Sequence, residues 1–155
     1  MLKIKILAVG GIKEKYFIDA INEYKKRLGR FVDLEVQELQ EGSKLSKNNP
    51  EEIKKFESDL ILKNVSGYVV VLDRQGTMIS SEDLARLLDD APVQGYSKIT
   101  FVIGGSHGVD EKVLASANKK ISFGKITYPH QLMRVILLEQ IYRAETILNN
   151  ITYHK

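Results

Sequence analysis

Of the three histidines of this 155-residue chain, His107, His130 and His154, the last two are its first candidates for moving a proton, since histidine titrates near neutral pH. His107 lies inside the run Gly104-Gly105-Ser106-His107-Gly108. His130 follows Pro129 at the start of a long apolar stretch, where it could equally be an ordinary first-turn residue of a helix. His154 stands between Tyr153 and Lys155 in a terminal tail, a place usually disordered, so it can matter only if that tail is docked. Arg134 and Arg143 fall within the apolar stretch, where a guanidinium is costly unless it is paired or bound to something anionic. The basic run Lys25-Lys26-Arg27, with Arg30 behind it, could meet phosphates; more often such a run is a solvated helix end that complements the helix dipole. With no cysteine and no histidines at zinc spacing, neither a disulfide framework nor a structural metal site is expected.

The elements that must position these residues read as alternating strands and helices. Leu2 to Val9 alternates and then turns wholly apolar, a strand ending at Gly10-Gly11; Phe17, Ala20, Ile21, Tyr24 and Leu28 then share one helical face, with Gly29 as the stop. Val32, Leu34 and Val36 alternate with polar residues, as in a strand near a sheet edge. Glu41 to Asn49 is polar and predicts a mobile loop, after which Asn49-Pro50 caps a helix through Ile53, Phe56, Leu60 and Ile61. Tyr68 to Leu72 is continuously apolar, as in a central parallel strand, and Ser80 or Ser81 caps a helix through Leu84, Leu87 and Leu88. Ile99 to Ile103 and Ile121 to Phe123 predict two more strands, with a short helix from about Asp110 between them. The order specifies an α/β fold with a mainly parallel sheet and helices on both faces, in one domain spanning 1–155.

Ligands of such sheets bind beyond the carboxyl ends of the strands. The loops that matter therefore follow Val9, Leu72, Ile103 and Phe123. Three carry unusual residues: Asp73-Arg74-Gln75-Gly76, Gly104 to Gly108, and Gly124-Lys125-Ile126-Thr127-Tyr128. Their glycines would let a ligand approach the backbone, although any one of these loops could also be a tight turn and nothing more. The Gly104 run lacks the G-x-G-x-x-G spacing of a dinucleotide site, which disfavours a nicotinamide-dependent enzyme.

From His130 to Leu148 no glycine or proline interrupts a helix whose apolar residues spread around most of the wheel. Such a helix is buried on several sides, by its own domain and a second copy of the chain, or by its own core alone. A net charge of +3 permits a nucleic-acid partner without demanding one. The opening residues are too few for a signal peptide, and no run is long enough to span a bilayer, so a cytoplasmic protein without membrane contact is expected.

Laid end to end, the segments ILAVG with the following KEKY, LDRQGTMISSE, FVIGGSHG, SFGKITYPHQLMRVILLEQIYRA and the terminal YHK make the whole chain resemble the small SPOUT-class methyltransferases that modify bacterial large-subunit ribosomal RNA. The resemblance implies a C-terminal trefoil knot, a homodimer formed across it, and S-adenosyl-L-methionine bent into the knot against Leu72, Gly104, Phe123, Gly124, Lys125, Ile126, Thr127 and Tyr128. It implies as substrate N3 of a pseudouridine in the helix 69 hairpin of 23S rRNA, in the large subunit or the assembled ribosome. Tyr153, His154 and Lys155 would close over the substrate, from their own chain or the partner's, with His154 or a water accepting the N3 proton. Arg134 or Arg143 would bind phosphate or the cofactor carboxylate, or pair structurally with Glu139 or Glu145. The alternative class is a ribosome-binding factor that keeps this fold without turnover.

Overall fold

A computed structural model describes residues 1–45 and 49–155. Its strands β1 (Lys3–Val9), β2 (Asp33–Leu39), β3 (Tyr68–Met78), β4 (Lys98–Ile103) and β5 (Lys119–Ser122) form one sheet in the order β2-β1-β4-β3-β5, every pairing parallel. Helices α1 (Lys15–Leu28), α2 (Pro50–Asn64), α3 (Ser81–Val93), α4 (Glu111–Ser116) and α5 (His130–Leu148) separate or follow them. The edge position expected for β2 is observed.

Both faces of the sheet are covered, and the period of two shows why. Along β1, Ile4, Ile6 and Ala8 join one buried cluster with Leu28, Leu84, Leu137, Leu138 and Ile141, beneath α1, α3 and α5. Leu7 and Val9 point the other way, into a smaller cluster with Ile61, Val71, Val102 and Val113 beneath α2 and α4. The helix starts are fixed locally. Asn49 accepts from the Glu51 N–H at 2.9 Å with Pro50 in the first turn, and Ser80 and Asp83 make a reciprocal capping box. Asp110 accepts from the Val113 N–H at 3.1 Å to start α4.

The structure corrects two details of the sequence reading. Of the loop expected from Glu41 to Asn49, Gly42–Leu45 is a 3-10 turn, and positions 46–48 lie outside the described residues. The strand expected to end at Leu72 resumes after an excursion: Leu72 and Thr77 both pair with Ile121, and the four residues between them bulge out of the ladder. As its all-round apolar wheel predicted, α5 is covered on several sides. It lies on the sheet between α1 and α3, and every one of its residues is buried or half-buried.

Candidate functional site

The carboxyl ends of β3, β4 and β5 open into a cavity of about 530 Å³. Its walls come from the β3 excursion (Asp73, Arg74, Gln75), the loop after β4 (Gly104 to Val109) and the loop between β5 and α5, with His130 and Met133 contributed by the first turn of α5. Apolar side chains, among them Leu72, Ile103, Leu114, Ile121 and Phe123, supply most of the lining. The loops approach one another closely. A Cβ placed on Gly76 would lie 2.8 Å from the Ile121 backbone nitrogen and 2.8 Å from the Lys120 carbonyl carbon, so only glycine lets the β3 excursion pass this near β5. Gly124, at φ +116°, holds a backbone conformation that other residues rarely adopt.

The loop after β4 is tethered from behind by α2. Ser58, fully buried, accepts from the Asp110 N–H at 3.0 Å. Its neighbour Glu57, 2% exposed, accepts from the Gly42 N–H at 2.9 Å through Oε2, while its Oε1 is buried without a hydrogen-bond partner. Burial pushes the Glu57 carboxyl above the ordinary range, against the smaller opposing effect of the Gly42 N–H. A Cβ on Gly105 would come within 2.9 Å of that Oε1. Gly104 lines the cavity; a Cβ there would lie 3.0 Å from Val109, which lines the same cavity.

Of the residues singled out for a cofactor, Leu72, Gly104, Phe123, Gly124, Ile126, Thr127 and Tyr128 all line this one cavity. Lys125 is exposed and does not. Three charged or titratable lining residues, Asp73, Arg74 and His130, were absent from that set. The sequence signal for the first two was their place at the carboxyl end of a buried strand. His130 has its Nδ1 buried without a partner, more than an incidental first-turn residue would show.

The proposed catalytic residues lie elsewhere in the single chain. Arg134, 1% exposed, points to the carboxyl ends of β1 and β2: it contacts Glu38 Oε2 at 2.5 Å and donates to the Gly10 carbonyl at 3.0 Å. It is outside the cavity lining, and its ion-pair partner is neither of the glutamates considered from sequence. Arg143 does pair with Glu139, at 2.6 Å.

The C-terminal tail is ordered against the outer side of α5. Asn150, at φ +55°, ends the helix and turns the chain back, and the Ile151 N–H donates to the Thr146 carbonyl at 2.9 Å. Tyr153 packs edge-on against Tyr142, lies beneath the Arg143 guanidinium, and donates its hydroxyl to Glu139 at 3.3 Å. Burial, and then the Glu139 carboxylate, raise the Tyr153 phenol above its usual range. His154 sits between Arg143, 3.2 Å from Nδ1, and Glu82, 2.5 Å from Nε2. Since a guanidinium only donates and a carboxylate only accepts, this network assigns the proton to Nε2 and the lone pair to Nδ1. Neither Tyr153 nor His154 lines the cavity of its own chain. Among the described residues no cluster of acidic and histidine side chains could hold a metal, and no helix is long and apolar enough to cross a membrane.

Comparison with known proteins agrees with this architecture. A curated relative from Clostridium acetobutylicum, named ribosomal RNA large subunit methyltransferase H, is 46% identical over 159 residues, covering 99% of this chain and 100% of the relative. One of the same name from Caldicellulosiruptor saccharolyticus is 47% identical over 154 residues, covering 98% and 99%. The solved structure of a "probable methylase family protein" from Haemophilus influenzae shares the fold, with a TM-score of 0.55 at 17% identity over 100% of this chain and 72% of that one. The family described as "Predicted SPOUT methyltransferase" matches residues 2–154, and the chain belongs to that family.

Proposed function

We propose that this protein uses S-adenosyl-L-methionine to methylate N3 of a pseudouridine in helix 69 of 23S rRNA, acting on the ribosome in the cytoplasm as a knotted homodimer. The observation that carries the reading is the convergence of three strand-end loops on one largely apolar cavity with glycine backbone in its walls. Those residues fit the cofactor. Apolar side chains such as Leu72 and Phe123 can flank an adenine, the glycine loops leave backbone groups within reach of its edge, and Asp73 and Arg74 offer opposite charges to a zwitterion. The curated relatives, matched end to end at 46% and 47% identity, carry names that specify large-subunit ribosomal RNA.

When bound, the cofactor would supply a methyl group already activated by a sulfonium. The chain's own contribution is then to hold, shield and deprotonate. The cavity walls would hold the donor and shield it from water, leaving its methyl group to face a base presented at the mouth. N3 carries a proton that must leave, and His154 has a lone pair at Nδ1 to receive it once the Arg143 contact is released. Because His154 lies outside its own chain's cavity, the tail that closes each site in this reading belongs to the second copy. The half-buried apolar residues Leu132, Val135 and Ile136 on α5 favour such a dimer. Support for the knot comes from the crossover that carries the chain from β4 past β3 to β5, and from the tight passage of Gly76 against β5.

The test is incubation of the purified protein with labelled S-adenosyl-L-methionine and ribosomes lacking the modification, followed by mass spectrometry of the helix 69 nucleotides. Label on the N3 position of pseudouridine is expected. Ribosome binding without transfer would instead identify a non-catalytic binding factor.

A further inference from the structure

The cavity needs a cation if its ligand carries a carboxylate, and the two arginines first considered for that task are otherwise engaged. Arg134 is committed to Glu38 and the Gly10 carbonyl, and Arg143 to Glu139. Among the described residues, Arg74 is the one lysine or arginine that lines the cavity. Its guanidinium donates from Nη1 to Thr127 Oγ1, 2.5 Å away on the opposite loop, so it spans the space between the β3 excursion and the loop preceding α5. Thr127 is neutral, which leaves the arginine's charge uncompensated and its remaining N–H groups available. Immediately before it, Asp73 also lines the cavity, its Oδ1 held by the Gln75 N–H at 3.3 Å. Neither Asp73 nor Arg74 takes part in a salt bridge among the described residues. Two unlike charges on consecutive residues, each steered by a neutral partner, complement a ligand end that itself carries both signs.

We propose that Asp73 and Arg74 read the zwitterionic amino-acid end of the cofactor, Arg74 taking the α-carboxylate with Thr127 orienting it, and Asp73 taking the α-ammonium. The inference rests on the cofactor assignment above and names the residues that decide which adenosine derivative is preferred. Both side chains belong to the β3 excursion, which gives that departure from the strand ladder a purpose beyond topology.

Calorimetric titration of the full chain with three ligands separates the parts: S-adenosyl-L-methionine, its decarboxylated form, which keeps the ammonium, and methylthioadenosine, which has neither charge. The wild type should bind the complete cofactor roughly tenfold more tightly than the decarboxylated form, as one charge-assisted hydrogen-bonded contact would give, with the difference shrinking in high salt. Arg74→Met should bring that ratio close to one while leaving methylthioadenosine binding unchanged. Thr127→Val should lower the ratio by a smaller factor, since it removes only the orienting hydroxyl. Asp73→Asn should weaken both ammonium-bearing ligands and spare methylthioadenosine. If Arg74→Met weakens all three ligands equally, or leaves cofactor affinity intact while ribosome affinity falls, the assignment is overturned and Arg74 shapes the mouth or contacts RNA. If methylthioadenosine binds and the wild type does not discriminate, this inference fails and the cofactor assignment stands. If no ligand binds the wild type, both fail together.

Discussion

Arg134 and Glu38, separated by 95 intervening residues, meet at 2.5 Å with one side chain buried and the other half exposed. The pair fastens the first turns of α5, which carry the cavity-lining residues His130 and Met133, to the carboxyl ends of β1 and β2. The asymmetry of burial sets what each mutation should do. Arg134→Ala empties a large buried volume and should lower stability by about 3–5 kcal/mol, whereas Glu38→Gln, whose site solvent can reach, should cost about 1–2 kcal/mol. Urea unfolding of the two variants checks this; equal losses would show that the charge pairing, and not the packing of the buried side chain, accounts for the contact.

Gly76→Ala should be disruptive despite its small size, because the new Cβ meets backbone atoms of Lys120 and Ile121, which cannot rotate away as a side chain can. A loss of about 1–3 kcal/mol is expected, with a weaker affinity for adenosine ligands as the excursion shifts. A melting temperature equal to that of the wild type would show that the two segments separate freely.

Glu57 predicts a pH dependence whose sign follows from its burial. Its folded carboxyl is raised above the unfolded value, so the native state is favoured while the group is protonated and loses stability as pH rises from the ordinary carboxyl range through the raised value. Glu57→Gln keeps an acceptor for the Gly42 N–H and removes the ionisation. The variant should gain on the wild type between an acid and a neutral pH in denaturant titrations, with little difference at the acid end. A difference that is the same at both pH values would mean the carboxyl ionises without penalty.

Deleting Tyr153 to Lys155 removes the ring packed on Tyr142 and the His154 bridge between Arg143 and Glu82, but nothing in the cavity lining. Cofactor affinity should stay within about twofold of the wild type while methyl transfer to ribosomes falls by about a hundredfold or more. Full-rate transfer by the truncated protein would return the search for the proton acceptor to His130.

The dimer is tested by sedimentation at micromolar concentration, where a single species of twice the chain mass is expected. A folded monomer under those conditions would remove the second copy's tail from the mechanism.

By itself the sequence determined the elements and their order, because these depend on short-range physics: the period of two in β1, the caps at Asn49 and Ser80, the unbroken helix after Pro129. It also determined which strand-end loops could form a site, since glycine and charge at the carboxyl end of a buried parallel strand are legible one segment at a time. What only the tertiary structure decided are relations between segments far apart in the chain. That Arg134 chooses Glu38 over the nearer Glu139 and Glu145 depends on where β2 ends in space, not on helical spacing. That Arg74 reaches Thr127, that Gly76 passes against Ile121, and that the tail settles on Tyr142 outside its own cavity all follow from how the sheet stacks its strands in the order β2-β1-β4-β3-β5. No local pattern encodes that order, because strand neighbours are selected by the joint burial of both sheet faces, which is a property of the whole fold.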